Sequence, residues 1–326
     1  MGRHLVEAAI AENFSVTLFN RGVTNKQLFA QAERVVQIFG DRNAHSSLPS
    51  EIWDAVVDTC GFNPANVQAM CSAVYNKTAL YVFISSANVY KATGLSNKTE
   101  NAPLADRPGG SGSEMLGVSK NYASLKAASE NVVLERFKDR ALVIRSGLIA
   151  GPHDSTKRFT YWPRRIRQGG EILAPGRPDR PIQFIDARDL ANFIVRLIIN
   201  RKSGIYNAVG PQQILTMKGL LDKAMEVLKS TGQLIWTPDH FLAANGITSW
   251  RQLPLWIDES RLNNADIFSL NCDKSFADGL TLRDISETLH SILPELDSIE
   301  CDNYSSFLSK KQETDLLKMW KANLLD

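Results

Sequence analysis

Residues 2–22, GRHLVEAAIAENFSVTLFNRG, predict the first helix and strand of the chain, from which the fold class follows. Apolar residues recur at helical spacing over 3–12, which predicts a helix. Val16 and Leu18 then alternate with polar residues over 14–19, which predicts a strand that an Asn-Arg-Gly turn ends. A helix that leads into a buried strand is the second half of a β-α-β crossover. The chain is therefore expected to begin inside a structural unit, without the strand that such a helix follows.

Strand and helix signals continue to alternate as far as about residue 150. The predicted strands are short apolar runs at 35–39, 55–58, 79–84 and 141–147, and the predicted helices cover about 63–75 and 118–136. Runs without polar alternation are typical of strands that are buried on both faces. This order predicts an α/β protein with a Rossmann-type, doubly wound parallel sheet, whose strands end along one ligand-binding edge.

The composition changes after residue 150. Residues 151–181, GPHDSTKRFTYWPRRIRQGGEILAPGRPDRP, are rich in Gly, Pro, Arg and aromatic residues, which predicts an irregular segment around one short helix. IQFIDARDLANFIVRLI and GIYNAVG then return to a strand, a helix and a strand, and residues 211–326 are predicted to be mostly helical. The predicted domains are a dinucleotide-binding domain of 1–149 and 181–209 and a smaller, mostly helical substrate domain of 150–180 and 210–326.

Composition excludes some classes of function and favours others. The 326 residues are 44% hydrophobic and carry a net charge of +2, which gives no general attraction to nucleic acid or to anionic membranes. We expect no membrane span and no secretory signal, because neither pattern is present. The four cysteines are far apart, so they are expected to be reduced, in a cytoplasmic protein. No His, Cys or Asp spacing predicts a metal site.

A tyrosine and a lysine provide the clearest chemical signal. Tyr122 and Lys126 are four residues apart in NYASLKAASE, so a helix places both side chains on one face. A lysine ammonium there is expected to lower the pKa of the phenol, which can then exchange a proton with a substrate oxygen. Alone, this pair is also compatible with a plain amphipathic helix. Ser86, at the predicted carboxyl end of a strand in FISSANVY, adds a hydroxyl at the same edge, although a serine there can also simply end the strand.

The chain resembles an extended short-chain dehydrogenase/reductase of the NAD-dependent epimerase/dehydratase family. The resemblance covers residues 2 to about 211 and is carried by these segments in the expected order: GRHLVEAAI, VTLFNRG, GDR, DAVVDTCGF, YVFISSANVY, YASLK, VIRSGLIAGPHD, PIQFIDARDLA and GIYNAVGP. It implies that Ser86 orients the substrate oxygen and that Tyr122 is the acid/base. Lys126 would tune Tyr122 and bind the nicotinamide ribose. Ser146 and Ala123 depart from the usual family residues, without touching the chemistry.

The cofactor that the resemblance implies is NADP or NAD, and NADP is preferred. A carboxylate at the end of the second family strand suits the ribose hydroxyl of NAD, whereas an arginine suits the phosphate of NADP. Asn20 and Arg21 stand there without an acid, although Arg21 can also be an ordinary exposed turn residue. The remaining predicted cofactor contacts, in addition to Tyr122 and Lys126, are Asp41 and Arg42 near adenine and the backbone of Thr59, Cys60 and Gly61.

Most of the family's glycine-rich phosphate loop is absent from the sequence. Gly2 matches its last glycine, and the first strand and the other two glycines do not occur. Two explanations stay open. In the first, Met1 is an internal methionine of a longer protein; in the second, the gene lost its first strand. The sequence as given is expected to bind a dinucleotide poorly.

Substrate contacts are predicted from polar residues near the expected cleft. Asn88, Arg164 and Arg180 are the candidates. Arg164 belongs to a cluster with Arg158, Arg165 and Arg167 beside aromatic residues, and guanidinium groups suit phosphate or carboxylate. The same cluster can instead be a solvated helix face or a nucleic-acid patch.

These observations favour an NAD(P)-dependent reductase or epimerase that acts on a secondary alcohol or ketone, for example of a sugar or nucleotide sugar. The alternative is a catalytically impaired, dehydrogenase-like protein that binds a ligand or RNA, because the phosphate loop is absent. The expected partner is a small-molecule substrate; nucleic acid is disfavoured by the near-neutral charge. The resemblance also implies a possible homodimer, formed through the Tyr-Lys helix and its neighbour.

Overall fold

The computed structural model describes residues 1–42, 48–91, 96–106, 121–259, 269–298 and 306–324. The strands of this part of the chain are β1 (Val16–Asn20), β2 (Val35–Phe39), β3 (Trp53–Asp58), β4 (Thr78–Ser86), β5 (Ala141–Ser146), β6 (Leu148–Ala150), β7 (Glu171–Pro175), β8 (Pro181–Asp186), β9 (Gly204–Ala208), β10 (Gly210–Thr216) and β11 (Gln233–Thr237). The helices are α1 (Gly2–Ala11), α2 (Pro64–Val74), α3 (Tyr122–Phe137), α4 (Tyr161–Arg167), α5 (Ala187–Ile199), α6 (Met217–Leu228), α7 (Asp239–Ala244), α8 (Asp273–Ala277), α9 (Ile285–Ser298) and α10 (Lys310–Asn323). The alternation predicted for the first 150 residues is confirmed, except that positions 118–120 of one predicted helix lie outside the described residues.

The main sheet is parallel, with the strand order β3-β4-β5-β9. Alternate residues of β4 point to opposite faces. Leu80, Val82 and Ile84 pack in a core that α5 covers, whereas Tyr81 and Phe83 pack under α2 and α3. Because both faces are buried, the strands are continuous apolar runs. The doubly wound, Rossmann-type arrangement predicted from the sequence is therefore confirmed.

β1 and β2 form a separate parallel pair. Among the described residues, no strand ladder joins β1 to β3; the side chain of Trp53 reaches across and its Nε1 donates to Thr17 Oγ1 over 3.4 Å. α1 lies against α5, where Ala8 packs on Ala191 and Val195. The expectation that a further strand belongs between β1 and β3 stays a prediction.

Residues beyond 150 build a large core of their own. β6, β8 and β10 form one small sheet, β7 pairs with β11, and α4 and α6 pack together around Trp162 and Leu220. Residues 211–326 were predicted to be mostly helical, which α6 to α10 confirm, and the structure adds the strands β10 and β11, which that prediction did not include. These strands are decided by their partners β8 and β7, which local propensity does not reveal. The division into two domains stays a prediction.

Two further features concern membrane-spanning helices and cysteines. No helix among the described residues is long and apolar enough to cross a membrane. Cys60, Cys71 and Cys272 are free thiols, and Cys301 lies outside the described residues.

Candidate active site

A cavity of about 450 Å³ opens at the carboxyl edge of the main sheet. Ser86 at the end of β4, Gly147 just after β5 and Val209 just after β9 all line it. Parallel strands bring their carboxyl ends to the same edge, so residues distant in sequence meet there. The cavity also receives Tyr122 from the first turn of α3. Its size is within the range of small-molecule sites.

The structure brings Tyr122 and Ser86 together in the cavity. Ser86 Oγ accepts the backbone N–H of Asn88 at 3.2 Å. Burial raises the pKa of Tyr122 above 10, against the opposing effects of the nearby Ser86 hydroxyl and of the charge on Arg158. Tyr122 therefore holds its proton at neutral pH in this structure.

Lys126 lies one helical turn further along α3 and is almost completely buried. Its ammonium donates to the carbonyl oxygens of Ile84 (2.6 Å) and Gly61 (2.9 Å). Burial lowers the pKa of Lys126 to about 8, although carboxylates led by Asp58 act in the opposite direction. The expected effect of Lys126 on the pKa of Tyr122 is absent from this arrangement, because the ammonium points to backbone carbonyls.

Several of the predicted cofactor residues follow the strands β2 and β3. Thr59, directly after β3, lines the cavity. A Cβ on Gly61 would meet Phe83 Cε2 at 2.5 Å and Val67 Cγ2 at 2.8 Å, so only glycine fits that turn without displacement. Arg42 is paired with the carboxylate of Asp58, at 2.8 Å between Nη2 and Oδ2, and also donates to Cys60 Sγ at 3.1 Å.

The remaining cofactor candidates are more exposed. Arg21 and Asp41 follow β1 and β2 and are accessible to solvent, while the side-chain oxygen of Asn20 accepts the N–H of Gly22 at 2.8 Å. Gly2 begins α1, and a Cβ there would have no heavy atom within 4 Å. The amino end of α1 thus has free space beside it.

The predicted substrate residues are not all brought to the cavity. Asn88 lines it, whereas Arg164 and Arg180 are not among its lining residues. Arg180 is buried and donates to the carbonyl oxygens of Ile257 (2.8 Å) and Leu255 (3.2 Å), and burial lowers its pKa to about 10. Through these bonds, Arg180 has a structural role in the core that the residues beyond 150 build.

Arg158 is the member of the arginine cluster that reaches the cavity. Arg158 was not among the predicted substrate residues, because the four arginines are chemically equivalent until the fold orients them. Arg165 of the same cluster is buried against the carboxylate of Glu313. Trp250 and Asp154 also line the cavity; neither was among the predicted site residues, since Trp250 was expected to pack or line a pocket of the C-terminal part and Asp154 to belong to a turn. The position of Asp154 soon after β6, at a sheet edge, was the available signal.

A doubly wound parallel sheet with a cavity at its carboxyl edge defines a Rossmann-type α/β protein. A profile of the NAD dependent epimerase/dehydratase family matches residues 1–209. The chain belongs to the NAD dependent epimerase/dehydratase family. A search among curated proteins gave no significant match.

Solved structures share the fold at low sequence identity. A putative epimerase from Burkholderia cenocepacia J2315 is 17% identical with a TM-score of 0.67, covering 91% of this chain and 95% of its own. The UDP-glucuronic acid 4-epimerase from Bacillus cereus, in complex with NAD, is 14% identical with a TM-score of 0.65 and the same coverage. RMD from Pseudomonas aeruginosa, complexed with NADPH, is 16% identical with a TM-score of 0.59, covering 86% of this chain and 99% of its own.

Proposed function

We propose that the protein is a nicotinamide-dinucleotide-dependent reductase or epimerase that acts on a secondary alcohol or ketone of a sugar or nucleotide sugar. The observation that carries this proposal is the convergence of the Tyr122 and Ser86 side chains inside the cavity, one helical turn from Lys126. Membership of the family supports it, as does the similarity to a nucleotide-sugar epimerase in complex with NAD.

Each of the three side chains has a role in this proposal. A substrate oxygen in the cavity accepts hydrogen bonds from Ser86 and Tyr122, and Tyr122 donates its proton to that oxygen when a ketone is reduced. A tyrosine with a raised pKa is protonated at neutral pH, which suits this direction of transfer. Lys126 holds the turn after β3 against α3 through Gly61 and can offer an N–H to a ribose hydroxyl.

The residues at the two strand ends fit a nicotinamide dinucleotide. Gly61 keeps the turn after β3 free of a side chain, and Thr59 lines the cavity beside Tyr122. When bound, the nicotinamide ring supplies the two-electron redox step. We propose NADP as the preferred form, because Arg21 is exposed at the end of β1 and no carboxylate accompanies it. We also keep the homodimer, formed through α2 and α3, and the cytoplasmic location as proposals.

The test compares Tyr122→Phe with a matched variant outside the cavity. Tyr75 packs on Phe137 and does not line the cavity, so Tyr75→Phe removes a phenolic oxygen without touching the site. With NADP⁺ or NAD⁺ as the hydride acceptor and a panel of nucleotide sugars that includes UDP-glucuronic acid, the proposal requires turnover by wild type and Tyr75→Phe. Tyr122→Phe should lose about 100-fold or more. Equal turnover by all three proteins would contradict the assignment of Tyr122.

A second candidate function is a ligand-binding protein without catalysis. It is favoured by the position of Lys126, whose ammonium donates to Ile84 and Gly61 rather than towards Tyr122. The RNA-binding form is disfavoured, because Arg165 and Arg180 are buried with partners of their own. Dinucleotide binding without turnover of any substrate in the panel would select this candidate.

A further inference from the structure

We propose that Arg158 binds an oxyanion of the substrate, a carboxylate or a phosphate, inside the cavity that holds Tyr122. The assignment of that cavity to the substrate rests on the proposed function. The anion site itself is argued from the surroundings of Arg158 and can be tested without cofactor or turnover.

Arg158 is held in a defined orientation within the cavity wall. It lies in the segment that follows β6, and its backbone N–H donates to the hydroxyl of Thr156 at 3.5 Å. Its guanidinium carbon lies 5.7 Å from the centre of the Trp250 ring, within cation–π range. The N–H groups of a guanidinium lie in its plane, so an aromatic ring over one face leaves the hydrogen-bonding edges available.

In the described part of the chain, no side chain forms an ion pair with Arg158. Among the described residues, no carboxylate lies within 4.0 Å of its guanidinium, and its side chain donates no hydrogen bond. The carboxylate that lines the cavity, Asp154, accepts instead from the backbone and the hydroxyl of Thr156, at 2.8 Å in each case. Burial lowers the pKa of Arg158, opposed by the charge of Asp154. A half-buried cation without a partner is unfavourable, and a bound anion would remove that cost.

Lys126, the other cationic side chain that lines the cavity, does not compete with Arg158 for an anion. Lys126 already donates to two backbone carbonyls and is almost completely buried, whereas Arg158 is only half-buried. A guanidinium fork matches two oxygens of one carboxylate or phosphate, which a neutral sugar hydroxyl cannot offer. The charge of Arg158 also acts on Tyr122, so the anion would sit near the oxygen that Tyr122 protonates. The geometry therefore favours a substrate with an acidic group close to its reacting carbon.

The experiment measures anion binding by calorimetry in the cofactor-free protein at constant ionic strength, with inorganic phosphate and acetate as the probes. The variants are Arg158→Gln, Arg158→Lys and the control Arg251→Gln; Arg251 is exposed next to Trp250 and does not line the cavity. Wild type and Arg251→Gln should bind one probe with equal affinity, and Arg158→Gln should lose about tenfold or more. Arg158→Lys should bind with intermediate affinity, because lysine keeps the charge without the fork. The probe that binds more tightly identifies the carboxylate or the phosphate as the ligand group.

Two results would overturn the anion site. One is the absence of binding of either probe to wild type, and the other is an affinity of Arg158→Gln within about twofold of wild type. Thermal unfolding checks that Arg158→Gln is folded. If it is not, the anion affinity of Arg158→Lys is compared with that of Arg251→Gln, and equal affinities overturn the site. Failure of the proposed function is a separate result, because it appears as absent turnover while anion binding persists.

Discussion

The ammonium of Lys126 donates a hydrogen bond of 2.9 Å to the carbonyl oxygen of Gly61, a residue 65 positions earlier in the chain. This bond joins the first turns of α3 to the turn that follows β3. The same ammonium reaches the carbonyl of Ile84 at the end of β4, so one side chain fixes the relative positions of a helix and two strand ends.

Replacing Lys126 by Met should destabilise the protein by about 1–3 kcal/mol for each carbonyl that is left unpaired. The pKa of Lys126 is about 8 in the folded protein and 10.5 ordinarily. Between those values the unfolded chain binds the additional proton, so the stability of wild type rises with pH. Urea unfolding at pH 7.5 and 9.5 should therefore show a larger deficit of Lys126→Met at the higher pH. Lys318→Met, at an exposed position on α10, should show no deficit at either pH; a deficit of Lys126→Met that shrinks with pH would mean that Lys126 is not desolvated.

Replacing Arg42 by Gln should leave the buried carboxylate of Asp58 without its cation. Burial raises the pKa of Asp58, but the hydrogen bonds and charge of Arg42 outweigh burial and hold it below 3.8. The stabilisation is thus present above pH 3.8 and is lost as the pH falls further. We expect a loss of up to about 3 kcal/mol at pH 7, because Arg42 keeps some contact with water.

The control for that variant is Arg3→Gln, which removes an exposed ion pair with Glu7. It should change the free energy of unfolding by less than about 1 kcal/mol. Denaturant unfolding at pH 7 and pH 3 measures both variants. A deficit of Arg42→Gln that is as large at pH 3 as at pH 7 would show that the ion pair is not its cause.

Two glycine variants separate packing from cofactor binding. Gly61→Ala places a methyl group against Phe83 and Val67, which should cost about 1–3 kcal/mol of folding free energy. Gly2→Ala meets nothing within 4 Å and lies in a helix, so stability should be unchanged or raised by up to about 1 kcal/mol. If Gly2 approaches the pyrophosphate, Gly2→Ala weakens NADPH binding without loss of stability. Titration of NADPH alongside thermal unfolding checks both glycines, and unchanged NADPH affinity would remove Gly2 from the cofactor site.

Arg21→Asp should change the choice of cofactor. The variant replaces an exposed cation at the end of β1 by a carboxylate, which repels a ribose phosphate and accepts from a ribose hydroxyl. The ratio of NADPH to NADH affinity should fall about tenfold or more. Calorimetric titration of both cofactors measures the ratio, with Arg34→Asp as a control, because Arg34 pairs with the carbonyl of Asn13 at the opposite end of β1 and β2. An unchanged ratio would exclude Arg21 as the determinant.

The sequence alone determined the parallel sheet, since apolar runs alternating with helices leave few other arrangements. It also placed Ser86 and Tyr122 at one edge, because the ends of parallel strands coincide and α3 begins beside them. Both inferences depend on local periodicity and on the order of elements, which are properties of the chain itself.

Tertiary structure decided the rest, because it concerns partners that lie far apart in the chain. β10 and β11 became strands by pairing with β8 and β7. Arg180 and Arg158 look equivalent in sequence. In the fold, Arg180 is buried and donates to backbone carbonyl oxygens, whereas Arg158 lies in the cavity beside Trp250. The pKa of Tyr122 is likewise decided by tertiary structure. It depends on burial and on the direction of the Lys126 ammonium, and both follow from the packed fold rather than from a spacing of four residues.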